Sequence, residues 1–125
     1  AGGMMTFSWP QLEGVRLLGR KTIELMTRNH LPGGKDLAQT SVGMFSEIAM
    51  RGTGFGLGFS VNLDPVAAGG VGSAGEYAWG GAASTIFWID PAEELIVIFL
   101  TQIFPSRTFN FRGQLKSIIY PALID

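Results

Sequence analysis

Glycine alternates with large apolar residues in the segment from Gly54 to Leu63. Phe55, Leu57 and Phe59 would share one side of an extended chain, because successive side chains of a strand point to opposite faces. An Asp-Pro pair then stops the pattern. The segment therefore predicts one strand with a single apolar face.

Two further apolar segments lie closer to the C-terminus. The first runs from Ala82 to Ile89 and contains small, β-branched and aromatic residues, and the second, from Leu95 to Ile103, is almost entirely apolar. The turn-forming residues from Pro91 to Glu94 separate them, which predicts an antiparallel hairpin. Because the second segment is apolar at nearly every position, we expect it to be a central, buried strand.

A helix is predicted before these strands, from Arg20 to Asn29. Ile23, Leu25 and Met26 follow helical spacing and are expected to face inward. A His-Leu-Pro-Gly-Gly sequence then ends the helix, since proline and glycine favour a turn. The segment from Lys35 to Met50 shows no sustained period and is predicted to be a mixed loop.

The last predicted helix begins at Asn110, whose side chain is suited to cap the first turn. Its apolar residues recur at helical spacing and form one stripe: Phe111, Leu115, Ile118 and Ile119. Gly113 weakens the first turn and Pro121 ends or kinks the helix, so packing on the sheet must offset both costs.

Together these elements predict an α+β fold with an antiparallel β-sheet of at least three strands and flanking helices. The last helix is expected to pack on one face of that sheet. Neither an internal repeat nor a domain boundary interrupts the sequence, so residues 1–125 are expected to form a single domain.

Composition narrows the possible partners. Of the 125 residues, 46% are hydrophobic and 15% charged, and the mean hydropathy is +0.28, which is unusually apolar for a small free-standing domain. Part of the apolar surface is therefore expected to lie against another segment. The net charge of −1 and the pI of about 5.8 give no electrostatic reason to expect nucleic acid or an anionic membrane as a partner.

Several kinds of site are disfavoured. With no cysteine there is neither a disulfide framework nor thiolate chemistry, and the compartment stays open, with the cytoplasm slightly favoured. The single histidine, His30, cannot assemble a multi-histidine zinc site, and we expect no cofactor. His30 is expected to lie at a helix C-terminus, where a cation is favoured. No apolar stretch reaches the roughly 20 residues that a membrane span requires.

Two literal motif matches are interpreted as ordinary structure. Gly70 to Gly75 spells G-x-G-x-x-G, but it follows a loop and leads into a strand, whereas a dinucleotide site follows a strand and opens a helix. Glu93 and Glu94 are adjacent in a predicted turn, so their side chains would point apart. We expect a solvated turn there and not an acid/base pair.

The segment from Trp79 to Ala83 offers the most informative chemistry. Two adjacent glycines follow a tryptophan and precede small residues. Glycine allows a backbone to approach a ligand closely, because it carries no Cβ. From the residues alone, Trp79 is either a core side chain or part of the wall of a site.

Three blocks carry a family resemblance: Gly54 to Phe59, Trp79 to Thr85, and Phe87 to Pro91. With them, the region from Gly52 to Asp125 resembles the C-terminal portion of the serine β-lactamase-related family. That family includes class C β-lactamases, penicillin-binding-protein-like peptidases and family VIII esterases, and the chain is most similar to the esterase-like members. Residues 12–18 and 21–26 are similar to a segment that lies earlier in the same proteins. Met4 to Pro10 departs from the family pattern, and a deletion, an altered segment or an artificial junction would each explain this.

Enzymes of this family use three motifs: a Ser-x-x-Lys nucleophile, a Tyr-x-Asn or Ser-x-Asn element, and a Lys-Thr-Gly-type element. Trp79-Gly80-Gly81 resembles the third motif, in the Trp-Gly-Gly form of esterase-like members. No serine of the chain is followed three positions later by lysine, and neither tyrosine begins a Tyr-x-Asn. The sequence Ser60 to Asn62 matches the second motif by letters, but it lies downstream of the family's position and is interpreted as part of the predicted strand.

The resemblance implies a partial β-lactamase/transpeptidase-like fold and a serine hydrolase that acts through an acyl-enzyme. In the family, the backbone N–H that maps to Ala82 joins the N–H of the nucleophilic serine to hold the oxyanion. Trp79, Gly80 and Gly81 would line the substrate pocket. Since Trp79 stands where relatives carry a cation that binds a carboxylate, a neutral ester is a better candidate substrate than a β-lactam.

Two functional hypotheses remain open. In the first, residues 1–125 are the C-terminal part of a serine hydrolase that acts on a small ester or a β-lactam, with a missing N-terminal segment supplying the nucleophile. In the second, the chain is a non-catalytic fragment that forms a homo-oligomer or binds a partner through an exposed sheet edge.

Overall fold

The structure is a computed structural model that describes residues 11–40 and 50–124. The atypical stretch from Met4 to Pro10 lies outside the described residues. The helices and strands, in chain order, are β1 (Gln11–Leu12), β2 (Val15–Arg16), α1 (Arg20–Met26), α2 (Leu37–Thr40), β3 (Thr53–Phe55), β4 (Ser60–Asn62), β5 (Tyr77–Gly80), β6 (Ile86–Asp90), β7 (Leu95–Phe99) and α3 (Phe111–Ile119). Single 3-10 turns follow at Pro32–Gly34 and Tyr120–Ala122.

Strands β3 to β7 form a five-stranded antiparallel sheet in sequence order, and β1 and β2 form a separate short ribbon. Helix α3 lies on one face of the five-stranded sheet. There the rings of Phe99 and Phe111 are 5.1 Å apart and Lys116 lies over the Trp88 ring. The predicted α+β fold, its antiparallel sheet and the packing of the last helix on one face are therefore confirmed.

Strands β6 and β7 form the predicted hairpin, with Ile86 opposite Phe99 and Asp90 opposite Leu95. The prediction that the second strand is central and buried is wrong. In the part of the chain that the structure describes, β7 pairs only with β6 and lies at the edge of the sheet. Ile96 and Ile98 alternate with the residues that face α3, and they are 51% and 68% exposed. An apolar run indicates that a strand needs cover on both faces, but it does not say which segment provides that cover.

The segment 54–63 contains two strands, and the prediction of a single strand is wrong. Strand β3 ends at Phe55 and pairs antiparallel with β4, with Phe55 opposite Ser60. The chain reverses between them at Gly58, whose φ of 111° is a value that glycine adopts without steric cost. The repeated glycines therefore belong to a tight hairpin, which the alternation alone did not distinguish from one long strand.

Helix α1 confirms the predicted helix but ends at Met26, before Asn29. The Met26 carbonyl accepts a hydrogen bond from the Leu57 N–H of the β3–β4 turn, so the helix ends where that turn docks. Leu25 is 52% exposed, and the expectation that it faces inward is wrong. The loop predicted for residues 35–50 contains the short helix α2.

Helix α3 begins as predicted. The Asn110 side chain accepts a hydrogen bond of 3.1 Å from the Gly113 N–H and so caps the first turn. The helix ends at Ile119, just before the Tyr120–Ala122 turn that contains the proline. Ile118 is 69% exposed, so the predicted apolar stripe is narrower than expected.

A buried polar cluster joins α3 to β5 and β6. Glu76, which precedes β5, is 3% exposed, and Asp90, at the end of β6, is fully buried. Lys116 Nζ lies 2.5 Å from Glu76 Oε1, and the Tyr120 hydroxyl lies 2.9 Å from Glu76 Oε2 and 2.7 Å from Asp90 Oδ2. Buried carboxylates are costly unless they are paired and hydrogen-bonded, and this cluster supplies both kinds of partner.

The environment of Tyr120 keeps its hydroxyl protonated. Burial raises the pKa of Tyr120 most, and the hydrogen bond to Asp90 and the charge of Glu76 raise it further. One O–H therefore stands between two carboxylates and remains a donor.

Replacement of Tyr120 by phenylalanine should destabilise the fold by about 1–3 kcal/mol, because two buried carboxylates lose a donor. Tyr77→Phe is the matched control, since the Tyr77 hydroxyl has no hydrogen-bond partner among the described residues. It should change the free energy of unfolding by less than about 0.5 kcal/mol. Urea unfolding of both variants measures the difference, and equal midpoints would show that the cluster does not stabilise the fold.

Asp36 ties α2 to β3. Its carboxylate accepts hydrogen bonds from the Gly52 N–H at 2.9 Å and the Gln39 N–H at 2.8 Å, and the Gln39 side chain accepts from the Asp36 N–H at 3.1 Å. The last two contacts form a reciprocal cap at the start of α2. The hydrogen bond from Gly52, followed by that from Gln39, lowers the pKa of Asp36.

Asp36→Asn should therefore lower stability at neutral pH, with a difference from the wild type that disappears in acid. A lowered folded-state pKa means that the carboxylate contributes stability above its unfolded-state value of about 4, and that this contribution is lost as the pH falls through the folded-state pKa. Thermal unfolding at pH 7, 5 and 3 tests this. Glu93→Gln is the control, because it removes an exposed charge from a turn. If the stability difference between Asp36→Asn and the wild type did not change with pH, the Asp36 charge would have no stabilising role.

Candidate functional site

The turn between β5 and β6 presents the backbone of Ala82 to solvent. The Gly81 N–H donates to the Thr85 carbonyl at 2.8 Å, and the Ser84 N–H donates to the Gly81 carbonyl at 3.0 Å. Ala82 is exposed, and among the described residues no group accepts a hydrogen bond from its N–H. The turn thus holds a free backbone donor in a defined loop.

Trp79 lies next to this turn, on the sheet face opposite α3. Its ring makes an edge contact with Phe55, with centroids 5.3 Å apart, and it remains 47% exposed. Strand β4 pairs with β5 only as far as Ala78, so Trp79 and Gly80 extend past the end of β4. Within the described residues these two positions of β5 pair with β6 alone. The tryptophan is therefore a half-exposed side chain and not a core residue.

A side chain at Gly80 or Gly81 would collide with Thr85. A Cβ at Gly80 would lie 2.9 Å from the Thr85 carbonyl oxygen, and a Cβ at Gly81 would lie 2.5 Å from the Thr85 hydroxyl oxygen. The contact at Gly80 is to backbone and would require the hairpin to shift, whereas the contact at Gly81 would require the Thr85 side chain to move. The two glycines therefore let β5 and the start of β6 approach each other closely, while both residues stay exposed on their outer side.

Arg112 is a residue of the site region that sequence reasoning missed. Its guanidinium Nη2 lies 3.5 Å from the Trp79 carbonyl oxygen and 3.6 Å from the position that a Gly80 Cβ would occupy. Burial lowers the pKa of Arg112, and the charge of Glu76 partly opposes this. No local pattern marks it, because 33 residues separate it from Trp79 and only the docking of α3 brings the two together.

A cleft of about 620 Å³ lies beside these groups. Its lining includes residues 79–82, the buried residues Ser60 and Ser84, and Arg112 and Lys116 of α3. The cleft lining therefore includes all four sequence-predicted site residues and two cations from the last helix, whereas the Trp79 ring itself lies on the opposite face of the sheet, against Phe55.

Neither buried serine of the cleft is arranged as a nucleophile in the part of the chain that the structure describes. The Ser60 hydroxyl donates to the Ala78 carbonyl at 2.8 Å, and the Ser84 hydroxyl donates to the Ile103 carbonyl at 2.5 Å. A nucleophilic serine needs an adjacent base that takes its proton, and a carbonyl does not serve as one. Ser60 and Asn62 belong to β4, and the Asn62 side-chain oxygen is buried without a partner among the described residues.

The other motif matches lie away from this cleft or in ordinary structure. His30 Nε2 lies 2.7 Å from the Leu25 carbonyl, near the end of α1, where the sequence predicted it. The stretch 70–75 forms turns and leads into β5 without opening a helix, and Glu93 and Glu94 are exposed in the β6–β7 turn. Across residues 11–40 and 50–124, no three acidic, histidine or cysteine side chains lie together as metal ligands would. None of the described helices has the length and apolar character needed to cross a membrane.

This chain is similar to two curated proteins and to a solved hydrolase structure. Two proteins of Mycobacterium tuberculosis, Protein Rv1367c of strain H37Rv and Uncharacterized protein MT1414 of strain CDC 1551, are each 32% identical to this chain over 102 residues, which is 79% of this chain and 24% of theirs. The solved structure of EstCE1, described as a hydrolase with promiscuous acyltransferase activity, matches with a TM-score of 0.65 and 27% identity over 86% of this chain and 26% of that chain. The chain thus spans about a quarter of the length of these relatives.

The match with EstCE1 shows that the sheet and helices adopt part of a β-lactamase-like serine hydrolase fold. The Beta-lactamase family model matches residues 1–117. The resemblance first seen in the blocks around Trp79 and Asp90 is confirmed, and the chain belongs to the Beta-lactamase family.

Proposed function

We propose that this chain is the C-terminal part of a serine hydrolase that transfers an acyl group through a serine ester intermediate. The observation that carries the proposal is the Ala82 N–H, which is exposed at the rim of the cleft and has no acceptor among the described residues. A backbone donor in a fixed turn suits the negative oxygen that develops when an ester carbonyl is attacked. Ala82 then acts as one half of an oxyanion hole.

The second donor and the nucleophile come from a segment that carries Ser-x-x-Lys and the second family motif. In the family arrangement the nucleophilic serine supplies its own N–H to the oxyanion. One such donor contributes about 3 kcal/mol to transition-state stabilisation, so neither half of the hole is sufficient by itself. Without that segment the chain does not catalyse.

The wall at Trp79 favours a neutral ester over an anionic β-lactam. An indole provides a flat apolar surface and supplies no positive charge for a substrate carboxylate. Arg112 is close by, but its guanidinium lies against the Trp79 carbonyl oxygen and near the Glu76 charge. Its charge is therefore already engaged by the protein. Trp79, Gly80 and Gly81 line the substrate pocket in this proposal.

A second candidate function rests on the edge strand β7. It carries the sequence Leu-Ile-Val-Ile-Phe, with no charge or proline, and its outer side is unpaired within the described residues. Natural edge strands usually carry charges, prolines or bulges that prevent pairing. In this alternative the chain is a non-catalytic fragment that binds a partner or a second copy through β7.

Native mass spectrometry of the purified protein, followed by denaturation of the same sample, separates the two candidates. A companion polypeptide with Ser-x-x-Lys, or the same motif in a longer chain that contains these residues, supports the hydrolase. A homo-oligomer of this chain alone supports the edge-pairing alternative. Labelling of residues 1–125 alone by a fluorophosphonate probe would contradict the proposal that they lack the nucleophile.

Trp79→Lys should shift selectivity toward anionic substrates in the enzyme that also carries Ser-x-x-Lys. The ratio of kcat/KM for a cephalosporin to kcat/KM for p-nitrophenyl butyrate should rise about tenfold to a hundredfold, as expected for one new charge-assisted hydrogen bond. Trp79→Phe is the control, because it keeps an aromatic ring without adding a charge. A wild-type enzyme that already hydrolyses the cephalosporin faster than the ester would contradict the neutral-ester assignment.

A further inference from the structure

The loop between β5 and β6 has an unusual residue at its last position. Gly81 and Thr85 close a three-residue loop that consists of Ala82, Ala83 and Ser84. Ser84 has a φ of 71°, which is left-handed and is the position where such loops usually carry glycine. A non-glycine residue is retained in this strained conformation only when its surroundings hold it there, and such positions cluster at functional sites.

Two hydrogen bonds connect Ser84 and its neighbour Ala83 to the segment that follows β7. The Ser84 side chain is buried, and its hydroxyl donates to the Ile103 carbonyl at 2.5 Å. The Ile103 N–H in turn donates to the Ala83 carbonyl at 3.1 Å. Both polar groups of the Ile103 backbone are thus used to anchor the loop.

This anchor acts on the residues that follow Ala82 directly. The Ser84 N–H donates to the Gly81 carbonyl and closes the turn. On one side of Ala82, Gly81 is bonded to Thr85, just before β6, and on the other side Ala83 is bonded to Ile103, so both flanks of Ala82 are held. An oxyanion donor must be held within about 0.5 Å of its productive position before the reaction begins. A glycine at position 84 would relieve the backbone strain but would lose the hydroxyl that makes the anchor.

We propose that Ser84 is a positioning residue for acyl transfer, which fixes the direction of the Ala82 N–H by anchoring the β5–β6 loop to Ile103. The proposal rests on the proposed hydrolase function. Ser84 borders the cleft, but it is 3% exposed and its hydroxyl is bonded to the Ile103 carbonyl, so in this proposal it acts without contacting the substrate. Its effect on catalysis therefore passes through Ala82 and should appear in the chemical step.

Two variants separate positioning from folding. Ser84→Ala removes the hydroxyl and keeps a Cβ at positive φ, whereas Ser84→Gly removes the hydroxyl and relieves the strain. If Ser84 served only to stabilise the fold, Ser84→Gly would retain normal activity. If it positions Ala82, both variants should lose kcat. Ser73→Ala is the control, since the Ser73 side chain forms no hydrogen bond in the described part of the chain.

The experiment uses the enzyme that contains both these residues and Ser-x-x-Lys, with p-nitrophenyl butyrate as substrate. We expect kcat to fall about tenfold in Ser84→Ala and Ser84→Gly, with KM within twofold of the wild type, because an interaction realised in the transition state is weakened. Affinity for a boronic acid transition-state analogue should fall in parallel with kcat. Hydrogen exchange at the Ile103 amide should become faster in both variants.

The outcomes distinguish this inference from the proposed function. A Ser84→Gly enzyme with wild-type kcat and faster exchange at Ile103 overturns the positioning role and leaves the hydrolase proposal intact. Absence of ester turnover by the wild type contradicts the hydrolase proposal itself. Slower kcat in the stably folded Ser84→Gly enzyme, with Ser73→Ala unchanged, supports the inference.

Discussion

The fold depends on the way in which two buried carboxylates are compensated. Glu76 and Asp90 flank the β5–β6 pair at the end away from the candidate site, and both are almost completely buried. Such groups destabilise a fold unless charge and hydrogen bonds replace the water that they lose. Lys116 in α3 and Tyr120 in the turn that follows α3 provide that replacement. The helix is therefore docked by specific polar contacts as well as by apolar packing, and this docking fixes its rotation on the sheet.

That rotation has consequences at the opposite end of the same helix. Lys116 is held at Glu76, and Arg112 lies one helical turn before it. The Arg112 guanidinium is therefore placed against the Trp79 carbonyl and beside Gly80. The β5 strand is thus supported at both ends by one helix. The loop that follows β5 has a second support, which comes from Ser84 and the segment after β7. A free N–H at Ala82 is useful for acyl transfer only if its surroundings are rigid in this way.

In the hydrolase proposal the chain provides one side of an active site, and in the alternative it provides an unpaired sheet edge. The chain spans about a quarter of the length of its relatives, and it exposes the isoleucines of β7, half of Trp79 and the end of β5. Apolar surface of this kind is stable when another segment covers it, and it favours association when none does. The hydrolase proposal and the edge-pairing alternative are therefore two answers to the same physical requirement.

Local chemistry in the sequence was enough to predict the β6–β7 hairpin, the cap at Asn110 and the family. Turns, caps and short motifs depend on residues that are close together along the chain, so a single sequence contains their signal. The same signal did not distinguish one strand from two at Gly58, or an edge strand from a central one at β7. Those outcomes, together with Arg112 and the Ile103 anchor of Ser84, depend on contacts between residues far apart in the sequence. Only tertiary packing brings such residues within hydrogen-bond distance, because neither partner carries a local pattern that names the other.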